Sequence, residues 1–280
     1  MGGISLPRQP PLSAVENAFI SASIATDRRL NMQQTGFVLV TSLLLIILVI
    51  AGPGRWAYFE YQRQKVMQES PLVMLEGGEI VFGADPSQEP TDDPPLERRD
   101  VGTFAIESTE VTNAHYRACV EAGFCEKPKI TDLYDQTDYA EHPVVYVTFH
   151  QAQTYCAWLG RRLPNTYEWE LAARGKDGRA WPWGVTPATT ENVNMLVILN
   201  PEKQEWFRPK NTLPVASLPL GSTKGIYDLV GNVWEWTTSK IGNAYIQRGG
   251  SWDTVIYQIT NIHPAIEDQA DQSVGFRCAE

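Results

Sequence analysis

Cysteines, histidines and paired carboxylates are the residues here that could do chemistry, and their spacing decides which chemistry. The chain has four cysteines, Cys119, Cys125, Cys156 and Cys278, and four histidines, His115, His142, His150 and His263. No C-x2-C pair occurs and the histidines show no ligand spacing, which argues against a zinc module and against histidine-held iron. Dispersed cysteines fit paired disulfides better. Four of them allow three connectivities, and all three need an oxidising compartment. In DLVGNVWE, Asp228 and Glu235 bracket a glycine turn. A hard cation wants carboxylate plus main-chain carbonyl oxygens at about 2.3 to 2.6 Å, which suits Ca²⁺; the alternative is a tight turn whose acids cap or bond their neighbours.

The elements that must position these groups are legible in part. With 280 residues, 43% hydrophobic, 10% aromatic and 20% charged, the chain is long enough for one large domain or two ordinary ones and is not disordered in the main. A net charge of −10, with 23 Lys and Arg spread without clusters, excludes an electrostatic grip on nucleic acid. PLVMLEGGEIVFG, from Pro71 to Gly83, predicts two short strands around Gly77 and Gly78. ADPSQEPTDDPP, from Ala84 to Pro95, reads as an acidic surface loop. Three helix starts follow. Thr112 precedes one that ends at Gly123; Thr148 with Gln151 makes a capping box ahead of an apolar stripe ending at Gly160; Asn165 with Glu168 starts a third that ends at Gly175. Beyond Gly175, Gly, Pro and Asn recur every few residues, so helices give way to turns and brief strands.

Gly36 to Ala51 reads GFVLVTSLLLIILVIA, without a charge. At 1.5 Å per residue the run spans about 24 Å, slightly short of the ~30 Å hydrocarbon core, with Trp56, Tyr58 and Phe59 as headgroup anchors. A cleaved signal peptide is the alternative, with Val49 and Ala51 as its cleavage site, but thirty-five preceding residues are long for one. The expected organisation is a cytoplasmic tail (1–35), one transmembrane helix (36–54), a stalk (55–71) and a domain (72–280). Basic residues on the two sides balance, so orientation rests on the cysteines, all of which follow the span and place the domain outside the cytoplasm. In the tail, Leu12, Val15, Phe19 and Ala22 allow a short amphipathic helix; a disordered tail is the other reading.

Five blocks stand in order: FAIESTEVTNAHY (Phe104 to Tyr116), HPVVYVTFHQAQTYCAWLGRRLPNTYEWELAARG (His142 to Gly175), WPWG (Trp181 to Gly184), GIYDLVGNVWEWT (Gly225 to Thr237), and RGGSW with a terminal GFRC. In combination they resemble the formylglycine-generating enzyme, or sulfatase-modifying factor, domain family over about residues 72 to 280. The resemblance implies one compact α+β domain of the C-type-lectin-like kind, with much irregular loop, preceded here by the transmembrane helix. That family includes copper-dependent oxidases that convert a sulfatase cysteine to formylglycine, iron-dependent relatives with an added histidine-bearing domain, and non-catalytic or ligand-binding versions. Membership therefore does not settle the chemistry. Family habits imply a bacterial inner membrane with the domain in the periplasm.

The same resemblance assigns positions. In the oxidases two cysteines after the RGGSW-like strand hold Cu(I), a soft ion; here they fall on Thr254 and Ile259, a hard hydroxyl and no ligand at all, so neither copper nor a catalytic residue is expected. His263 lies where the family tends to carry arginines. Cys156 and Cys278 match a structural disulfide that would close about 120 residues and stabilise by ~4 to 5 kcal/mol on the chain-entropy model, leaving Cys119 and Cys125 to pair locally. The family's calcium loop maps onto Asp228, the carbonyls of Gly231 and Val233, and Glu235. A second family site is half matched by Asn192 and Val193, while KNTLPV lacks the other half's acid.

The expected function is a non-catalytic, membrane-anchored pseudoenzyme that acts as a structural or protein-binding subunit of a membrane complex, with structural Ca²⁺. Two alternatives stay open: a divergent formylglycine-generating oxidase acting on a sulfatase cysteine, and a lectin-like receptor presenting Asp253 to Ser273 as its ligand surface.

Overall fold

The computed structural model describes residues 13–51, 53–83, 96–200, 202–255 and 259–280. The chain forms two compact units, Met1–Tyr58 and Phe59–Glu280.

In the first unit a single helix, α1 (Ala14–Ala51), takes up the tail from Ala14 onward together with the apolar run. It is longer than the amphipathic segment read from Val15, Phe19 and Ala22, and Leu12 lies outside the described residues. Among the described residues no helix is long and apolar enough to cross a membrane. The predicted span at 36–54 falls largely on positions 43–51 and 53, whose side chains are outside that description, and on Gly52. Helix α2 (Pro53–Glu69) opens with proline, whose missing N–H costs nothing in the first turn. Its last turns belong to the second unit: Val66 is 3% exposed and packs into that unit's core. The domain therefore begins ahead of the composition change at Pro71, because the apolar face of the stretch read as a stalk has something to bury against.

The second unit is α+β. Strands β1 (Leu72–Leu75) and β2 (Gly78–Phe82) lie on either side of Gly77, yet they are not partners. β1 pairs antiparallel with β4 (Phe104–Glu107), and β2 pairs with β3 (Glu97–Val101). Gly77 is needed at the crossover, since a Cβ there would sit 2.2 Å from the Val101 carbonyl oxygen. The acidic loop 84–95 lies outside the described residues.

Helices α3 (Asn113–Glu121), α4 (Phe149–Trp158) and α5 (Thr166–Arg174) start at the three predicted caps. Thr112 accepts from His115 N, and the Thr148 and Asn165 boxes are both reciprocal. The later chain is the expected mixture of turns and short strands: a β5 (Val197–Asn200) and β6 (Glu205–Phe207) pair, then β7 (Trp234–Ile241), β8 (Ala244–Arg248), β9 (Ile262–Ala265) and β10 (Val274–Gly275). The last four form one sheet in the order β10-β7-β8-β9, and β10 runs parallel to β7. Tyr116, Tyr155, Trp169, Trp236 and Phe276 are the large buried side chains around which α3, α4, α5 and the sheet close. Cys119 joins Cys125 and Cys156 joins Cys278, the pairing that the resemblance implied. The second bond ties α4 to the chain's last residues across a sequence separation of 122.

Asn165 Oδ1 accepts from both Tyr167 N and Glu168 N, each at 2.9 Å. Asn165→Ala should cost about 1 kcal/mol, read in urea as a lower midpoint with an unchanged slope; an unmoved midpoint would mean that packing alone holds the start of α5.

Candidate functional site

The parallel register of β10 on β7 sets Glu235 opposite Gly275, with Arg277 two residues beyond. From there the guanidinium reaches back in a fork: Nη2 donates to Glu235 Oε1 at 2.7 Å and Nε to Oε2 at 2.8 Å. Trp169 Nε1 on α5 donates to the same Oε2 at 2.9 Å. Arg277 also donates to the Glu107 carbonyl at 3.2 Å and the Tyr227 carbonyl at 2.8 Å. Glu235, Arg277 and Trp169 are all 0% exposed. A charge-assisted fork of this kind is among the stronger pairings available in a protein interior.

The glycine turn lies beside this pair. Asp228, Gly231 and Asn232 all have positive φ, and a Cβ on Gly231 would come within 2.6 Å of the Asn194 carbonyl oxygen, so this close approach needs glycine. Val233 is fully buried. Asp228 Oδ2 accepts from Ala216 N at 2.6 Å. Asn232 is the turn's organiser. Its Oδ1 accepts from Asn194 Nδ2 at 3.1 Å and Leu213 N at 2.8 Å, while its Nδ2 donates to Glu110 Oε1 at 3.1 Å. Glu110 comes from the segment between β4 and α3, is 1% exposed, and carries an Oε2 that faces no donor among the described residues. Burial, reinforced by the charge of Asp228, pushes the Glu110 carboxyl well above the usual carboxylate range. Burial raises Asp228 as well, against the opposing bond from Ala216.

The ligand set carried over from the family therefore fits only in part. Asp228, Gly231 and Val233 stand in one turn, but Glu235 is turned to Arg277 and Trp169, and both its oxygens are occupied by donors. A carboxylate in that state already has its counterion. Among the described residues no group of three or more His, Cys, Asp or Glu is arranged to hold a metal. Asn192 caps its own turn, accepting from Thr189 N at 2.7 Å.

At the positions after RGGSW, the Thr254 hydroxyl is taken up locally, accepting from Ser251 N at 2.9 Å and lying 3.0 Å from Ser251 Oγ. Ile259 is 1% exposed. Arg248, at the head of RGGSW, is buried and pairs with Glu170 at 2.6 Å; Glu170 also holds Arg174 at 2.6 Å. All four cysteines are in disulfides. The histidines stand apart. His115 Nδ1 lies 3.2 Å from Ser70 Oγ and His142 Nδ1 2.9 Å from Thr212 Oγ1. His150 is exposed on the first turn of α4, and the His263 ring sits 5.4 Å from that of Trp234. Burial lowers His115, His142 and His263 alike, which favours neutral rings.

Sequence reading missed Glu110, Asn232 and Arg277. Glu110 and Asn232 are 122 residues apart, and no local pattern joins them.

A family description, the sulfatase-modifying factor enzyme 1-like domain, matches residues 58–280. The inactive C-alpha-formylglycine-generating enzyme 2 of Bos taurus is 39% identical over 153 residues, covering 50% of this chain and 50% of that protein. The formylglycine-generating enzyme of Mus musculus is 30% identical over 168 residues, covering 50% of this chain and 44% of its own. The chain thus spans about half the length of the curated relatives it matches. The solved structure of PvdO from Pseudomonas aeruginosa superposes with a TM-score of 0.61 at 22% identity, over 74% of this chain and 93% of that one, a likeness of fold.

Arg277→Met should destabilise the protein by about 3 to 5 kcal/mol, because it leaves Glu235 charged, buried and unpaired. Adding Glu235→Gln should recover part of that loss. A single-variant loss below about 1 kcal/mol in urea unfolding would show that water reaches the carboxylate.

Proposed function

Since the chain belongs to the sulfatase-modifying factor family, whose domain it carries over residues 58–280, we propose that it is a member without oxidase activity, a rigid membrane-anchored platform that binds another protein of a membrane complex. The observation that carries this reading is the state of the sulfur. Holding Cu(I) takes a pair of free thiolates, and all four cysteines of the chain are joined in disulfides. The positions after RGGSW offer Thr254, whose hydroxyl is engaged with Ser251, and buried Ile259. The relative at 39% identity is itself named inactive, which agrees.

The anchor is the apolar run at 36–54, crossing a bacterial inner membrane once, with the N-terminus in the cytoplasm and the disulfide-bonded domain in the periplasm. Two observations support this placement. The run is uncharged and near membrane length, and disulfides persist in oxidising compartments. Loss of the thiols removes a reason to diffuse toward substrates, whereas a tethered domain with a covalently locked fold suits a fixed contact.

Full-length protein in a mild detergent should migrate with a second subunit from native membranes, and it should consume no oxygen when supplied with Cu(I) and a cysteine-containing sulfatase peptide. Oxygen uptake with conversion of that cysteine would instead establish the divergent oxidase. Migration as a lone monomer would remove the complex.

A further inference from the structure

Phe124, Ile130 and Ile266 take no part in the core: the first and last are each 63% exposed, and Ile130 is 45% exposed. Apolar side chains scattered singly over a surface are ordinary, but these three come from loops that supply the walls of one groove. Phe124 stands on its rim, with Lys129 beside Ile130 and with Asp268 two residues past Ile266. The groove encloses about 340 Å³, room for an aromatic ring. Each of its loops is pinned. The Cys119–Cys125 bond closes a short ring that carries Phe124, and Phe124 N donates to the Cys119 carbonyl at 3.2 Å. Lys129 N donates to the Tyr146 carbonyl at 2.9 Å, and Gln269 N to the Ile266 carbonyl at 3.0 Å. The apolar groups are therefore presented before any partner arrives, so little conformational freedom is lost on contact.

We propose that a second copy of the chain docks here about a twofold axis, with Phe124 of each copy entering the groove of the other. The charges argue for a copy. Glu126, Lys129 and Asp268 all line the groove, yet among the described residues none of the three is in an ion pair. Their neighbours are matched: Lys127 lies 3.1 Å from Asp135, and His150 lies 3.5 Å from Glu267. An unpaired cation beside two unpaired acids makes a self-complementary surface, because a twofold axis lays the lysine of each copy against the acids of the other. A partner of one sign would leave either the lysine or the acids facing a like charge. Phe124, Ile130 and Ile266 supply the apolar centre that such a contact needs, and the charges around them fix its register.

This self-contact is independent of the platform reading: it is measured as the number of copies per particle, and the platform as a second kind of subunit. The test is light scattering of full-length protein in a mild detergent, with the mass of bound detergent subtracted. The wild type should hold two copies per particle. Phe124→Asp sets a charge at the centre of the contact and should leave one copy, with Tm unmoved because the side chain is exposed in the single chain. Lys129→Glu makes the three unpaired charges all acidic, and Glu126→Lys with Asp268→Lys makes them all basic. Each of these two variants should run alone as single copies, whereas an equimolar mixture should assemble as mixed pairs, an outcome that loss of stability cannot produce. A wild type with one copy per particle, pairs that survive Phe124→Asp, or charge variants that stay apart when mixed would overturn the proposal.

Discussion

Taking a guanidinium and a carboxylate out of water together is favourable only when each finds nearly all its partners, and Arg277 with Glu235 meets that condition by joining five separate segments. The fork joins the C-terminal strand to the central strand β7; Trp169 brings in α5, the Glu107 carbonyl brings in β4, and the Tyr227 carbonyl brings in the loop before the glycine turn. None of these segments can move without exposing a charge in the interior. The Cys156–Cys278 bond fastens the same C-terminal strand to α4 from its other side. Main-chain bonds from Ala105 to Glu280 and from Glu107 to Cys278 then seat that strand against β4.

Much of the irregular part of the molecule follows from closing the chain in this way. A domain with so little regular sheet has few ladders to satisfy its buried polar groups, and buried ion pairs take over that task. Arg248 with Glu170 and Arg174 does for the RGGSW strand what Arg277 does for β7, and Arg161 with Glu107 fixes the end of α4 to β4. Several polar residues of the motif blocks are thus counterions for one another. A motif acid engaged in this way already has its counterion, as Glu235 has in Arg277.

The proposed function rests on this economy of groups. A copper oxidase of this family would need cysteine sulfur in a free, reduced form near the RGGSW strand, and here each cysteine sulfur is spent on holding the fold. What the domain offers instead is stiffness: two disulfides, buried ion pairs and three well-capped helices around an aromatic core. Stiffness of that kind favours recognition of a fixed partner, since little conformational entropy is lost when a preorganised surface binds.

Local physics was readable directly. Thr112, Thr148 and Asn165 mark helix starts because a cap is satisfied by residues two or three positions away, and Gly123, Gly160 and Gly175 mark ends because each takes a positive φ. The motif blocks carried the family and, through it, the disulfide pairing. Whatever depended on distant chain meeting in space could not be read in this way. The two strands flanking Gly77 pair with β4 and β3 and not with each other, because the register of an antiparallel ladder depends on its partner. The α2 turns read as a stalk join the core, because burial requires a surface to bury against. Glu235 was read as a ligand on its place in the turn; its actual role depends on Arg277 and Trp169, which only the folded sheet and helix bring to its two oxygens. Glu110 carried no sign of its importance for the same reason, since its neighbours Asn232 and Asp228 arrive from the far half of the chain. Short-range hydrogen bonding leaves its mark in sequence because few residues share it, whereas a buried charge acquires its partner, and with it its chemistry, only when the chain has closed.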